Sequence, residues 1–171
     1  MFDAMSLDIV PDDPAPRLRP AGPIDEPFIR RFFEEVRTGQ FTATGLSGPV
    51  ASQIVAQQFQ SQVAGYAAHF PGAISLIVTQ GETAIGRLLL HCPSEDWHII
   101  DIALLPAACG RGAGTKIMEA LEASARRQGV GALTLSVLAS NLAARRFYLR
   151  QGFAETGQAG AAHVAMRKDF A

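Results

Sequence analysis

The sequence predicts an α/β (α+β) fold, a mixed and mostly antiparallel central sheet with the element order β-α-α-β-β-β-α-β-α-β-β. Three observations carry this reading. Ile74 to Thr79 and Ala84 to His91 flank Gln80-Gly81-Glu82, a hairpin pattern, so antiparallel strands come first. Two strand-to-helix alternations follow, one beginning at Trp97 and one at Ala132. The run from Ala132 to Leu138 is almost continuously apolar, as in a strand buried on both faces.

In chain order, residues 1–16 are rich in proline and aspartate. Pro11, Pro14 and Pro16 oppose regular structure, so a flexible N-terminal arm is expected, and Met5 could equally be the start. Residues 17–171 are expected to form a single domain, because a chain of 171 residues can bury one full core. Arg17 to Ala21 is a strand candidate. Asp25 stands where it would cap a helix carrying Phe28, Ile29, Phe32, Phe33 and Val36 on one face, with Gly39 ending it. Thr42 to Pro49 is a polar, glycine-rich connection. Val50 to Phe70 is a second helix, apolar at Ile54, Val55, Phe59 and Val63, with glutamines at 53, 57, 58, 60 and 62 reading as a solvated face. Pro71-Gly72 breaks it.

After the hairpin, Trp97 to Leu105 forms a strand that ends at Pro106. A helix runs from Thr115 to about Gln128-Gly129. Its buried stripe is Ile117, Met118, Leu121 and Ala125, and Glu122 pairs with Arg126 outside. Asn141 to Arg150 is a short helix. Gly152 to Gly157 and His163 to Lys168 are the last two strands.

Composition narrows the function classes. The net charge of −1 leaves no broad basic field for nucleic acid. Cys92 and Cys109 lie far apart without metal-ligand spacing, so no metal is expected, and they suit a reducing cytoplasm. The start lacks a basic region followed by an apolar run, and no stretch is long enough to span a membrane.

The most informative stretch is I-D-I-A-L-L-P-A-A-C-G-R-G-A-G, from Ile100 to Gly114. A strand, a glycine-rich loop and a helix start leave backbone N–H groups without partners, and phosphate oxygens suit them. Gly110, Gly112 and Gly114 let backbone approach an anion, and Arg111 adds a cation. A Walker A loop is disfavoured because Gly114 is followed by Thr115 before Lys116. A dinucleotide fingerprint is disfavoured because the loop is G-x-G-x-G and Gly131 to Val137 lacks the acidic residue that should follow about 20 positions on.

A second motif, S-N-L-A-A-R-R-F-Y-L-R-Q-G-F, spans Ser140 to Phe153. Alone it reads as an Asn-capped helix with an aromatic pair in the core. Together, the anion loop, helix, buried strand and N-x-x-A-x-x-F-Y-x-x-x-G-F resemble the GCN5-related N-acetyltransferases (GNAT). The likeness is strong over Ile100 to Phe153 and weaker at Leu18-Arg19-Pro20-Ala21 with Asp25. The family's loop pattern is Q/R-x-x-G-x-G/A. Cys109 stands where Gln or Arg is usual, which implies weakened rather than lost phosphate binding.

The resemblance implies acetyl-CoA as co-substrate. Its pyrophosphate would bond the N–H groups at Arg111, Gly112, Ala113 and Gly114, with Cys109, Gly110 and Thr115 also in the cofactor site. Its pantetheine arm would pair with backbone along Ile102, Ala103 and Leu104 between splayed strands, a mode that tolerates aliphatic side chains. Asn141, Ala144, Phe147 and Tyr148 would complete the carrier site, with Asn141 also capping its helix. A strand N–H near Leu104 would meet the developing oxyanion, and Tyr148 would protonate the leaving thiolate.

The acceptor amine must be neutral, and a lysine-like amine with a pKa of ~10.4 is neutral about once in a thousand near pH 7.4. A base helps, and the candidates are Asp101, His98 and Glu95, with a solvent relay as an alternative needing none of them. Asp101 lies in an apolar run, so its carboxylate needs donors or an upward-shifted pKa. His91 and His163 read as structural or surface groups, and Arg145 and Arg146 as solvated.

The expected function is acetyl transfer to a primary amine of a small molecule or peptide by direct attack in a ternary complex. The alternative is an acyl-CoA-binding sensor of the same fold without turnover. Acetylation of aminoacyl-tRNA is disfavoured by the near-neutral charge. The acceptor site would be built from about Phe28 to Phe70. Homodimers are common among such enzymes and one is an admissible assembly here.

Overall fold

The computed structural model describes residues 16–42 and 48–170. All but the last residue of the expected N-terminal arm, and most of the glycine-rich connection, lie outside them. Seven strands form one sheet: β1 (Arg17–Pro20), β2 (Ile74–Gln80), β3 (Thr83–His91), β4 (Asp96–Leu104), β5 (Ala132–Leu138), β6 (Ala154–Ala159) and β7 (His163–Asp169). Their spatial order is β1-β2-β3-β4-β5-β7-β6. Every neighbouring pair is antiparallel except β4 and β5. The helices are α1 (Glu26–Thr42), α2 (Pro49–His69), α3 (Ala113–Arg127) and α4 (Leu142–Arg150). The element order matches the expectation, with 3₁₀ turns added at Pro23–Asp25 and Pro106–Ala108.

The sheet has two covered faces. On one, Leu76, Val78, Leu88, Leu90, Trp97 and Ile99 pack under Ile117, Met118, Leu121 and Ala125, the predicted apolar stripe of α3. The other face carries Ser75, Arg87, Leu89 and Asp101 beneath side chains of α1 and α2.

Four local expectations need correction. Gly39 does not end α1, which continues to Thr42; one glycine costs a helix only about 1 kcal/mol. Asp25 precedes α1, inside the 3₁₀ turn. Its carboxylate reaches back to accept the Gly22 N–H at 2.8 Å and takes both Arg19 guanidinium nitrogens at 2.7 and 2.8 Å. Among the α2 glutamines, Gln53, Gln57, Gln58 and Gln60 are exposed, but Gln62 is half-buried and donates to the Tyr66 hydroxyl at 2.6 Å. Strand β5 is not buried on both faces throughout, since Ser136 is exposed and Leu138 is 46% exposed. Their position past the last β4–β5 pair explains this.

That last pair positions the site. Strands β4 and β5 pair from Asp96↔Ala132 to Ile99↔Leu135 and no further. Beyond it β4 stays on β3 as far as Leu104, while β5 stays on β7 as far as Leu138. The two strands therefore part, leaving a crevice at their C-terminal ends. A bulge sits at the parting point: Leu90 faces Ile99 and Leu89 faces Asp101, so Ile100 is the extra residue.

Candidate active site

The bulge decides where Asp101 goes. Trp97 and Ile99 point into the α3 core, and strict alternation would send Asp101 after them. The extra residue shifts the phase. Ile102 and Leu104 pack against that core instead, and Asp101 turns to the α1/α2 face. There its carboxyl stands half-buried at the meeting of two cavities. Burial raises its pKa above the ordinary carboxylate value, opposed by Arg37, Arg87 and the Ile102 N–H.

The first cavity is the crevice between the parted strands, about 250 Å³. Ile100, Asp101 and Ile102 line it from β4, Ser136 and Leu138 from β5, and Asn141, Ala144 and Tyr148 from α4 and its cap. Strand alternation identifies which backbone groups face it. The Leu105 N–H donates to the Ile85 carbonyl at 2.8 Å, so odd-numbered residues of this segment point their N–H and C=O toward β3. Ile102 and Leu104 point theirs into the crevice, where no strand pairs with them. Ala103 is directed toward β3.

Tyr148 is 8% exposed and packs edge-on against Phe147 and Phe153. Burial, and secondarily the charge of Asp101, pushes its phenol up to about 12, so it holds its proton throughout the neutral range. Asn141 caps α4, its Oδ1 accepting the Ala144 N–H at 3.1 Å.

The glycine-rich loop divides its labour. Gly110 and Gly112 have φ of +73° and +80°, a left-handed backbone that favours glycine. Gly112 is the N-cap of α3, and the first bond of that helix runs from the Lys116 N–H to the Gly112 carbonyl at 3.1 Å. The N–H groups of Ala113, Gly114 and Thr115 precede it, so they have no intrahelical acceptor. Gly114 serves packing: a Cβ there would lie 3.3 Å from the Phe147 ring. Gln151 ties α4 to the same helix start through Thr115 Oγ1 at 3.2 Å. Arg111 is exposed, and Cys109 turns its thiol back toward the Leu104 and Leu105 carbonyls at 3.8 and 3.5 Å.

The structure does not bring His98 or Glu95 to the crevice. His98 Nδ1 bonds Thr134 Oγ1 at 2.8 Å, its ring stacks on Phe70, and burial and His91 lower its pKa. Glu95 is exposed before β4. His163 lies at the crevice rim, and Arg145 is held by Glu155 at 2.7 Å.

Four site residues escaped the sequence reading. Tyr66, Arg37 and Arg87 surround Asp101 from α2, α1 and β3. Tyr66 and Tyr148 are the only tyrosines in the chain and both line the crevice, a signal that was available. Gly86 is the fourth. A Cβ there would lie 2.5 Å from the Ala103 carbonyl oxygen and 2.6 Å from Leu104 Cδ2, so its absence allows β3 to hold the crevice edge of β4 closely. An isolated glycine inside the apolar run A-I-G-R-L-L-L was its signal. Among the described residues, no group of three or more His, Cys, Asp or Glu side chains could hold a metal, and no helix is long and apolar enough to cross a membrane.

Comparison with known proteins agrees with this fold. A curated relative, an uncharacterized N-acetyltransferase named YycN from Bacillus subtilis, is 34% identical over 76 residues, which cover 42% of this chain. The match spans about half (49%) of that relative's length. The PaiA N-acetyltransferase of Thermoplasma acidophilum, solved in complex with coenzyme A, superposes with a TM-score of 0.67 at 16% identity over 91% of this chain and 99% of its own. An acetyltransferase from Thermus thermophilus gives 0.67 at 22% identity, over 91% and 97%. These two likenesses show a shared fold. The family model described as Acetyltransferase (GNAT) family matches residues 34–153, and this chain belongs to that family.

Proposed function

We propose that the chain moves the acetyl group of acetyl-CoA, the co-substrate of its family, to a primary amine held on the α1/α2 side of the crevice. The observation that carries this is the parting of β4 from β5 after Ile99↔Leu135, with the Ile102 and Leu104 backbone groups turned into the gap. Those groups suit the amides of a pantetheine arm, which can bind as a short added strand. Ala113, Gly114 and Thr115 offer helix-start N–H groups to the pyrophosphate, and Gly110 and Gly112 keep the approach bare.

Bound acetyl-CoA supplies an activated acyl carbon and a thiolate leaving group. Asp101 takes a proton from the amine nitrogen, its raised pKa bringing it nearer to the neutral range in which a base works best. Tyr148 delivers a proton to the sulfur as the carbon–sulfur bond breaks and the carbon–nitrogen bond forms. The Leu104 N–H is directed to bond the carbonyl oxygen where negative charge gathers. A buried acid, Tyr148, and a half-buried base, Asp101, on one crevice favour turnover over a module that only holds the carrier. The direct test is steady-state acetylation across a panel of amines, paired with the thermal shift that acetyl-CoA produces. An amine acetylated at a rate that falls in Tyr148→Phe supports the proposal. No stabilisation by saturating acetyl-CoA contradicts it.

A further inference from the structure

The second cavity on the α1/α2 face, about 310 Å³, meets the crevice at Gln62, Tyr66 and Asp101. Resting on the acetyl-transfer reading, we propose that it seats a small amino carboxylate with an aromatic or other apolar body. The carboxylate lies on Arg87 and the amine at Asp101, facing the crevice.

The walls select the body of the ligand. Phe32, Phe33, Phe59 and Phe70 line the cavity, and its volume is at the small end of ligand sites. Apolar surface on the ligand is buried there, and a long polycation finds one carboxylate, Asp101, among the described lining residues.

The floor selects the polar groups. Arg87 lies opposite Ala103 on the neighbouring strand, so Asp101 is its diagonal neighbour on the same face, about 7–8 Å away by Cα. Each feels the other's charge. Arg87 gives its Nε–H to Ser75 Oγ at 3.1 Å, and among the described residues no carboxylate comes within ion-pair distance of it. Burial lowers its pKa, the mark of a cation short of compensation. Its two terminal nitrogens remain for a planar anion. Arg37 lines the crevice side of Asp101 and also acts on its charge. A carboxylate on the ligand gives the Arg87 guanidinium the close anionic partner it lacks among the described residues, which an amine without one does not.

The experiment compares phenylalanine, phenylalaninamide and phenethylamine as acceptors, which share a body and an amine and differ in the carboxylate. Phenylalanine is expected to show a kcat/KM about 10- to 100-fold above the other two, the range of a charge-assisted pair. Arg87→Gln should bring that ratio near one, while Arg87→Lys keeps part of it. The ratio within one variant does not depend on how much of it folds. Calorimetric titration of N-acetylphenylalanine against N-acetylphenethylamine reads the same preference without turnover. Stabilisation by acetyl-CoA with no preference for the carboxylated amine, or with phenylalaninamide preferred as a peptide N-terminus would be, overturns this proposal and leaves acetyl transfer standing. If acetyl-CoA fails to bind, acetyl transfer falls, and the titration alone decides whether the cavity recognises a carboxylate.

Discussion

Replacing Gly86 by alanine tests the crevice without touching any group assigned to chemistry. The added methyl would sit 2.5 Å from the Ala103 carbonyl oxygen, about 0.9 Å short of the 3.4 Å at which ordinary contact begins. It would also sit 2.6 Å from Leu104 Cδ2 and 3.2 Å from Leu104 Cα. The side-chain tip can swing away, but the carbonyl and Cα are backbone. Strand β4 must therefore shift by most of an ångström around Ala103–Leu104, where the Leu104 N–H faces the crevice. Overpacking of this kind costs about 1–3 kcal/mol of stability. A misplacement near 1 Å at a reacting centre costs on the order of 100-fold in rate. Gly86→Ala is thus expected to keep a cooperative thermal transition, lowered by several degrees, and to lose about 10- to 100-fold in kcat/KM for acetyl-CoA. Calorimetry and initial rates measure the two losses separately. A variant with lowered stability and kcat/KM within twofold of the parent refutes the role given to the Leu104 edge.

Other expectations follow from the same geometry. Tyr148→Phe should lower kcat about 10- to 1,000-fold with little change in acetyl-CoA affinity, read by steady-state kinetics and titration calorimetry. The parent's kcat should show no alkaline loss from this phenol below about pH 11, because the group titrates near 12. With Asp101 as base, kcat/KM should fall on acidification at a pKa above the ordinary 3.8, and Asp101→Asn should remove that limb from the pH profile. Gly112→Ala forces a side chain onto a φ of +80° at the α3 N-cap and should weaken acetyl-CoA binding more than it lowers Tm, as calorimetry would show. The Asp25 carboxyl is held at about 2, below its ordinary 3.8, first by Arg19 and then by the Gly22 N–H. Its depressed pKa means that the stabilisation is complete above about pH 4 and is lost as pH falls toward 2. The Tm gap between the parent and Asp25→Asn should close over that window.

Much of this architecture could be read from local chemistry. Gln80-Gly81-Glu82 marked the hairpin, the Ile117–Ala125 stripe marked the buried face of α3, and the turn glycines marked the helix start, because each signal lies within a few residues of what it specifies. Asp101 shows where local reading stops. Its face depends on one bulged residue, Ile100, which only pairing with β3 reveals. The same bulge left His98 and Asp101 on one face of β4, yet Thr134 and Phe70 hold the histidine away from the crevice. Arg37, Tyr66 and Arg87 come from three elements far apart in sequence, so no spacing rule could gather them. Gly114 carried an anion-loop signal, and the Phe147 ring, 3.3 Å from where a Cβ would lie, adds a packing reason for glycine that only the fold reveals.

Amide hydrogen exchange at single-residue resolution, with and without coenzyme A, measures the central claim. The alternation of β4 predicts new protection at Ile102 and Leu104, together with Ala113 to Thr115, while Ala103 changes little because its N–H is already turned to β3. Uniform protection along Ile102–Leu104, or none there while coenzyme A binds, would contradict a carrier seated along this open strand edge.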